Sequence, residues 1–568
     1  MKRLDRPGPG LGGLTAGTTP IAATGLAPEA STAAAADAAS KAASKPTSKP
    51  AFKPTPEAAS EPLPNLAPDL APPLAPLTVP GGAPAVARRS LLAGALLLPA
   101  GLLAAPGVDQ PPPVAAPRPL ELSALHERTL ANGLRVVVAP RPGLPLVSLT
   151  LLVLAGPEAD PPSRPGVAAM TASLWPKGAL RDGRPVSASD LARQAEALGG
   201  TLEARSNWGA STLAMTVTTP RAGEALALMT DVLRRPLLAA DELERARAQA
   251  LDALRVMLGS PGELAALALR RAFWGAVPHG AVAPPAALQR LQRTDLQAFQ
   301  SVWVRPDRVA LVLAGDISAE QAQALAQRLL GDWRAPANAA PVLALAPPLP
   351  IAQALVLIDM PGAGQSGVAV AAPFVSSLAA DRRTGLVAQA VLGGGYSSRL
   401  NQEVRIKRGL SYGVSASAEA FERGGMFSAQ AQTNHPTAAE VLQILRAEVA
   451  RLADAPPAAD ELAARQAALV GGFARRLETN GGVATLVVNQ LAQGRPLADL
   501  AAHVPALLAV TPAQVQAFAR AHWAAGQLRA VVVGDLAAAG PSLAALAPQA
   551  LTLKLAELDL EQAGLRKP

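Results

Sequence analysis

From Leu130 onward the apolar and polar positions follow two alternating rhythms. "GLRVVVAP" and "PLVSLTLLVLAG" are short β-rich runs. "SASDLARQAEALGG" spaces its apolar residues for a helix, with Ser in front as a cap and Gly-Gly behind as a stop. "TLEARSNWGASTLAMTVTTP" predicts two strands around a turn at Asn207 to Gly209, and "AADELERARAQALDALRVMLGSP" predicts a long helix ending before Pro261.

The rhythm repeats. "QAFQSVWVRPDRVALVLAGD" and "QAFARAHWAAGQLRAVVVGD" align Phe299 with Phe518 and Gly315-Asp316 with Gly534-Asp535 at an offset of 219. The same offset lays "VVVAPRP" over "LVLIDMP". The folded part therefore reads as two copies of one α/β unit, residues 120–334 and 351–545, with a Pro/Ala-rich linker at 335–350 and a C-terminal tail at 546–568. Each copy runs from strands through helices to helix, Trp, strand and Gly-Asp. The expected class is α+β: two homologous α/β sandwich domains, each a mixed or antiparallel sheet covered by helices, and not a doubly wound sheet. "LGGGYSSRL" is glycine-rich but has neither Walker nor dinucleotide spacing.

Composition narrows the chemistry. The 568 residues contain no cysteine, which excludes disulfides, thiolate metal sites and a cysteine nucleophile. Of the formal charge of +8, residues 1–119 carry +3, and no basic patch with interleaved aromatics follows, so nucleic acid is not an expected partner. Residues 1–87 form an Ala/Pro/Ser/Thr tract that reads as disordered. Residues 88–105 begin with Arg88 and Arg89 and continue as an apolar run too short for a comfortable membrane span, which fits a signal-peptide core of twin-arginine character. A start near Val86 would place that signal at the N-terminus; an uncleaved anchor with a long cytoplasmic tail is the alternative. A Pro-rich linker at 106–119 follows. The expected location is the periplasm of a Gram-negative bacterium, with no stable membrane span in the mature protein.

The succession "LANGLRVVV", "LLVLAG", "GVAAMTASLWPKGA", "VPHG", "FQSVWVRPDRVALVLAGD" and "VLGGGYSSRLNQEVRIKRGLSYGVSA" resembles the pitrilysin/insulinase superfamily of zinc peptidases, which includes the mitochondrial processing peptidase. The likeness spans roughly residues 125 to 545 and implies a pitrilysin-like half-clamshell. In active members a helix carries H-x-x-E-H, two zinc-binding histidines on one face with a glutamate base between them. Threading through Gly166, Ala168, Lys177 and Gly178 puts Ala169 and Ser173 at the ligand positions and Ala172 at the base. The family's third ligand, a glutamate on a later helix, falls on Ala253, with Asp252 as a register alternative. On this reading Val167, Met170 and Leu174 pack on the sheet, and the small residues fill the former metal pocket. The histidines His126, His279, His435, His503 and His522 show no i, i+3 or i, i+4 pairing, and no G-x-S-x-G elbow is present.

What the resemblance leaves is "RIKRGLSY", with Arg405 and Tyr412 seven apart, near two turns of helix. In the family such a pair closes over the zinc site from the opposite side, binds substrate backbone and stabilises the oxyanion. The alternative is that Arg405 pairs with a surface carboxylate such as Glu403 while Tyr412 merely packs. Both tyrosines of the chain, Tyr396 and Tyr412, lie in this segment. The implied function is a subunit inactive on its own, with no metal or other cofactor in this chain. It would serve a homologous partner that carries H-x-x-E-H and the zinc, acting on peptide substrates. A structural or peptide-binding scaffold, like the core subunits of respiratory complex III, is the competing reading, and a self-sufficient peptidase a third.

Overall fold

A computed structural model describes Leu122 and residues 124–343 and 345–567; the tract 1–87, the signal-like segment 88–105 and the linker 106–119 lie outside the described residues. The first copy runs β1 (His126–Thr129), β2 (Arg135–Pro140), β3 (Leu146–Val153), α1 (Val167–Leu174), β4 (Gly178–Arg181), β5 (Arg184–Ser187), α2 (Ala188–Ala197), β6 (Glu203–Asn207), β7 (Ala210–Thr218), α3 (Ala222–Arg234), α4 (Ala240–Gly259), α5 (Pro261–Trp274), α6 (Pro285–Arg290), α7 (Arg293–Trp303), β8 (Val309–Gly315) and α8 (Ala319–Leu330). The second runs β9 (Leu355–Asp359), β10 (Ser366–Phe374), α9 (Arg382–Gly393), α10 (Arg399–Asn401), β11 (Val414–Phe421), β12 (Gly424–Thr433), α11 (Ala438–Asp454), α12 (Ala459–Leu477), α13 (Asn480–Ala492), α14 (His503–Leu508), α15 (Pro512–His522) and β13 (Arg529–Gly534). Residues Leu551–Lys554 then form β14.

The first copy builds a six-stranded sheet, ordered β1-β2-β8-β3-β7-β6, and the second contributes five strands to another, β11-β12-β10-β13-β9-β14, whose edge strand β14 comes from the C-terminal tail. Both sheets are mixed: β2 runs parallel to β8, and β9 runs parallel to both β13 and β14, while the remaining neighbours are antiparallel. The central strands are apolar on both faces because both faces are covered; every residue of β8, Val-Ala-Leu-Val-Leu-Ala-Gly, is buried.

The cover on the second face comes from the other copy. Alternate residues of one strand point opposite ways, so Val136 and Val138 of β2 join the core under the first copy's own helices while Val137 and Ala139 face away. There they meet Val483, Leu486, Val487 and Leu491 of α13, a helix of the second copy. Reciprocally, Leu264, Leu269 and Phe273 of α5 pack on Val356, Ile358, Val531 and Val533 of the second sheet. Helices α5 and α13 begin 219 residues apart, so they are the same element of the repeat, exchanged. Each such leucine contributes about 1.5–3 kcal/mol by leaving water. Both helices start cleanly: α5 has Pro261 at its first position, and Thr479 Oγ1 accepts from Gly482 N at 3.0 Å to cap α13. The approach of α5 is close enough that a Cβ on Gly367 of β10 would sit 2.3 Å from the Pro261 carbonyl oxygen, so that strand position requires glycine.

Candidate functional site

Helix α1 is the one that the zinc motif would occupy. Its start is capped at a distance: Asp160 Oδ2 accepts from Gly166 N at 2.6 Å and Oδ1 from Ala168 N at 2.7 Å, a carboxylate at the positive end of a helix. Burial pushes the Asp160 carboxyl up to about 7 against those amide bonds. Val167, Met170 and Leu174 are buried, as the apolar spacing predicts, and so is Ala172. Ala169 and Ser173, by contrast, lie on the exposed side, and Ser173 Oγ turns back to donate to Met170 O at 2.7 Å. They do not fill a former metal pocket, because a methyl and a hydroxymethyl are too short to reach across an exposed helix face. Only Ala172 is packed away.

Ala253 is exposed on α4, which packs against α1, and Asp252 is exposed and bonded to Arg255 at 2.7 Å. Three methyl groups and one hydroxyl at these four positions do not fit a zinc ion, which takes imidazole, thiolate or carboxylate. Among the described residues no group of three or more His, Asp or Glu is arranged to hold a metal ion.

The histidines have other surroundings. His279 packs among Trp208, Trp274 and Phe421, and burial, then the charge of Arg270, brings its imidazole down to about 4. His435 bonds Ser366 Oγ at 2.9 Å and Ala363 O at 2.7 Å. His522 lies 3.3 Å from Asp381.

Arg405 and Tyr412 do come together, though not along a helix. After α10 the chain widens into one π turn, Gln402–Ile406, of the kind frequently found at functional sites. Gly409, at φ +62°, reverses it, and Tyr412 stands in the following loop, 90% exposed. The spacing of seven therefore reflects a doubling back rather than two helical turns. The Arg405 guanidinium sits 4.6 Å from the centre of the Tyr412 ring and 4.8 Å from that of Tyr396, held between the two. Each such contact is worth about 0.5–1 kcal/mol at an exposed site.

Glu403 is not the partner of Arg405: its carboxylate is taken by Lys407 and Arg408, which pull it below the ordinary glutamate range. The Arg405 guanidinium makes no hydrogen bond or ion pair among the described residues, so its N–H donors are available. With Tyr412 it lines a cleft of about 640 Å³. Gln430 and Gln432 of β12 lie along this cleft, and Glu263 of the exchanged helix α5 also faces it.

Tyr396 and Asn401 are the residues that sequence reasoning left without a role. Asn401, 7% exposed, donates to Gly395 O at 3.2 Å and to Val414 O at 3.1 Å, and accepts from Val414 N at 2.9 Å. One buried amide thus ties the loop bearing Tyr396 to the strand that follows Tyr412. An Asn one turn before the Arg was the available signal, but nothing in its spacing distinguishes it from a surface residue.

Known proteins resemble the chain over this same span. The profile described as insulinase (peptidase family M16) matches residues 135–280, and the profile described as peptidase M16 inactive domain matches residues 290–469. An uncharacterized zinc protease of Mycobacterium leprae is 26% identical over 384 residues, 65% of this chain and 82% of that one. One from Streptomyces coelicolor is 25% identical over 424 residues, 70% and 87% of the respective chains. Among solved structures, a peptidase M16 inactive domain from Pseudomonas fluorescens superposes with a TM-score of 0.67 at 23% identity, covering 73% of this chain and all of that one. A chain of complex III from Candida albicans superposes with a TM-score of 0.62 at 14% identity, covering 75% and 100%.

Proposed function

The chain belongs to the pitrilysin/insulinase superfamily of peptidase-like proteins and carries its inactive-domain module, and on that premise we propose that it is the non-catalytic subunit of a periplasmic heterodimeric endopeptidase. A homologous partner bearing H-x-x-E-H supplies the metal chemistry. This chain supplies the opposite wall of the chamber, and its Arg405 and Tyr412 donate N–H and O–H to the peptide backbone. The observation that carries the reading is the guanidinium of Arg405, fixed between two phenol rings with no acid of its own to neutralise it. A cation with free donors beside a cleft suits an oxygen whose negative charge grows during reaction, because the donors can be aimed at the charge as it appears.

The same observation weighs against a bare scaffold, in which an arginine would be expected to pair with the nearest carboxylate. The test is reconstitution with the H-x-x-E-H partner recovered by co-purification from the native periplasm. Tyr412→Phe keeps the ring against Arg405 and removes one hydroxyl; it should leave assembly intact and lower kcat by on the order of 10²-fold. Normal turnover with both Arg405→Ala and Tyr412→Phe would mean that the subunit contributes surface only, and the scaffold reading would take over.

A further inference from the structure

Helix α9 opens with Arg382 and Arg383 as its first two residues and has no acid in its first turn. That is the wrong sign for the positive end of a helix, which favours carboxylates and bound anions. A third guanidinium arrives from the turn after α13: Arg495, its side chain 8% exposed, donates to Asp499 Oδ2 at 2.9 Å. Arg383 lies 3.9 Å from the same oxygen and donates to the Asp499 main-chain carbonyl at 3.1 Å. One carboxylate therefore answers for three arginines.

Arg382 is left over. It is 7% exposed, its side chain has no hydrogen-bond or ion-pair partner among the described residues, and its Nη2, like Arg383 Nε, is cut off from solvent. Asp381, at the helix cap, does not help, since its carboxylate faces His522. The neighbouring groups register the excess. His503 is brought down to about 4 by burial and then by Arg382, Arg383, Arg495 and Arg476, so it is neutral at pH 7. Arg382 itself is lowered to about 10 by burial, then by Arg495 and Arg383, and remains a cation. A buried charge without a partner is expensive, and a cluster of them more so.

We propose that this arginine cluster at the positive end of α9 is a binding site for an oxyanion of the phosphate class. Three guanidinium groups against one carboxylate leave a surplus of two charges, which a dianion cancels and a carboxylate does not. Guanidinium forks also match the oxygen spacing of a phosphoryl group. The shared chemistry is the phosphoryl dianion, whether free phosphate or a small phosphomonoester.

The test is calorimetric titration of the full chain with inorganic phosphate at fixed ionic strength, beside glycerol 3-phosphate and sodium chloride. Saturable 1:1 binding is expected, and Arg382→Gln should weaken it at least about tenfold. Arg383→Gln, at a more exposed site, should weaken it too, and it carries the test if Arg382→Gln fails to fold. Asp499→Asn raises the surplus and should tighten binding. Binding of both phosphates assigns the phosphoryl group; binding of inorganic phosphate alone assigns the free ion. No saturable heat, an equal response to chloride, or weaker phosphate binding in Asp499→Asn would overturn the proposal.

Discussion

Leu269→Ala tests whether the two halves are one folding unit. Leu269 belongs by sequence to the first half, yet it is 2% exposed in a core built on the second half's sheet. Truncating a buried leucine costs about 2–5 kcal/mol; about 3 is the working value. Unfolding entropy near 60 °C is about 2.1 cal/mol/K per residue, so a cooperative unit of roughly 440 residues has about 0.9 kcal/mol/K and would lose about 3 °C of Tm. A single half of roughly 220 residues melting alone would lose about 6–7 °C while the other half kept its own Tm. Differential scanning calorimetry separates the two cases, and amide hydrogen exchange locates the effect. The exchange of helices predicts one endotherm shifted by the smaller amount, with β8 and β13 losing protection together. Two endotherms, or β13 amides loosened while β8 amides stay protected, would refute the reasoning.

Removing one of the two rings around Arg405 with Tyr396→Leu should lower kcat/KM of the reconstituted complex about 2–5-fold, whereas Tyr396→Phe should not, since the contact uses the ring face; equal kinetics for both variants would show that Tyr396 does not hold the arginine. His279 has its imidazole lowered to about 4 from an ordinary 6.5, so its contribution is fully present above pH 6.5 and is lost as pH falls toward 4. That loss is on the order of 3 kcal/mol. His279→Phe should accordingly flatten part of the acid limb of Tm against pH, to which His503 and lowered carboxyls such as Glu403 also contribute, and an unchanged limb would argue against it. Elemental analysis of the purified chain should find no stoichiometric zinc, and Ala169→His, Ala172→Glu and Ser173→His together should not create a peptidase, because Ala253 supplies no third ligand and Ala172 is fully buried. About one zinc per chain, with activity abolished by a chelator, would contradict this.

The repeat was legible because periodicity and landmarks survive at one offset: Phe299 with Phe518 and Gly315 with Gly534 bracket the same helix and strand in each half. The positions Ala169, Ala172 and Ser173 could be assigned only by threading through Gly166, Ala168, Lys177 and Gly178, since an alanine carries no chemical mark of the ligand it would replace. What periodicity cannot show is the address of an apolar face. The spacing in α5 and α13 announces that each buries one side, but a helix next to its own sheet in sequence has no mark telling it to pack on the other one. The Arg405 clamp was half visible. Two tyrosines and an arginine fell in one segment, but the π turn and Gly409 that fold them together depend on local backbone choices that a spacing of seven misreads as helix. The choice between Glu403 and the rings was likewise a matter of which neighbours, Lys407 and Arg408, took the carboxylate first.

The exchanged helix α13 also sets a schedule for biosynthesis. The first sheet has all its strands once Gly315 has been made, but the helix that covers Val137, Ala139, Ala310 and Val312 ends at Ala492. At a synthesis rate of about 5–20 residues per second, that face waits uncovered for roughly 10 to 35 seconds on the ribosome. A nascent chain halted in that interval exposes an apolar strand surface of the kind that recruits chaperones or aggregates, so a premature stop in the second half before Ala492 endangers the first half as well.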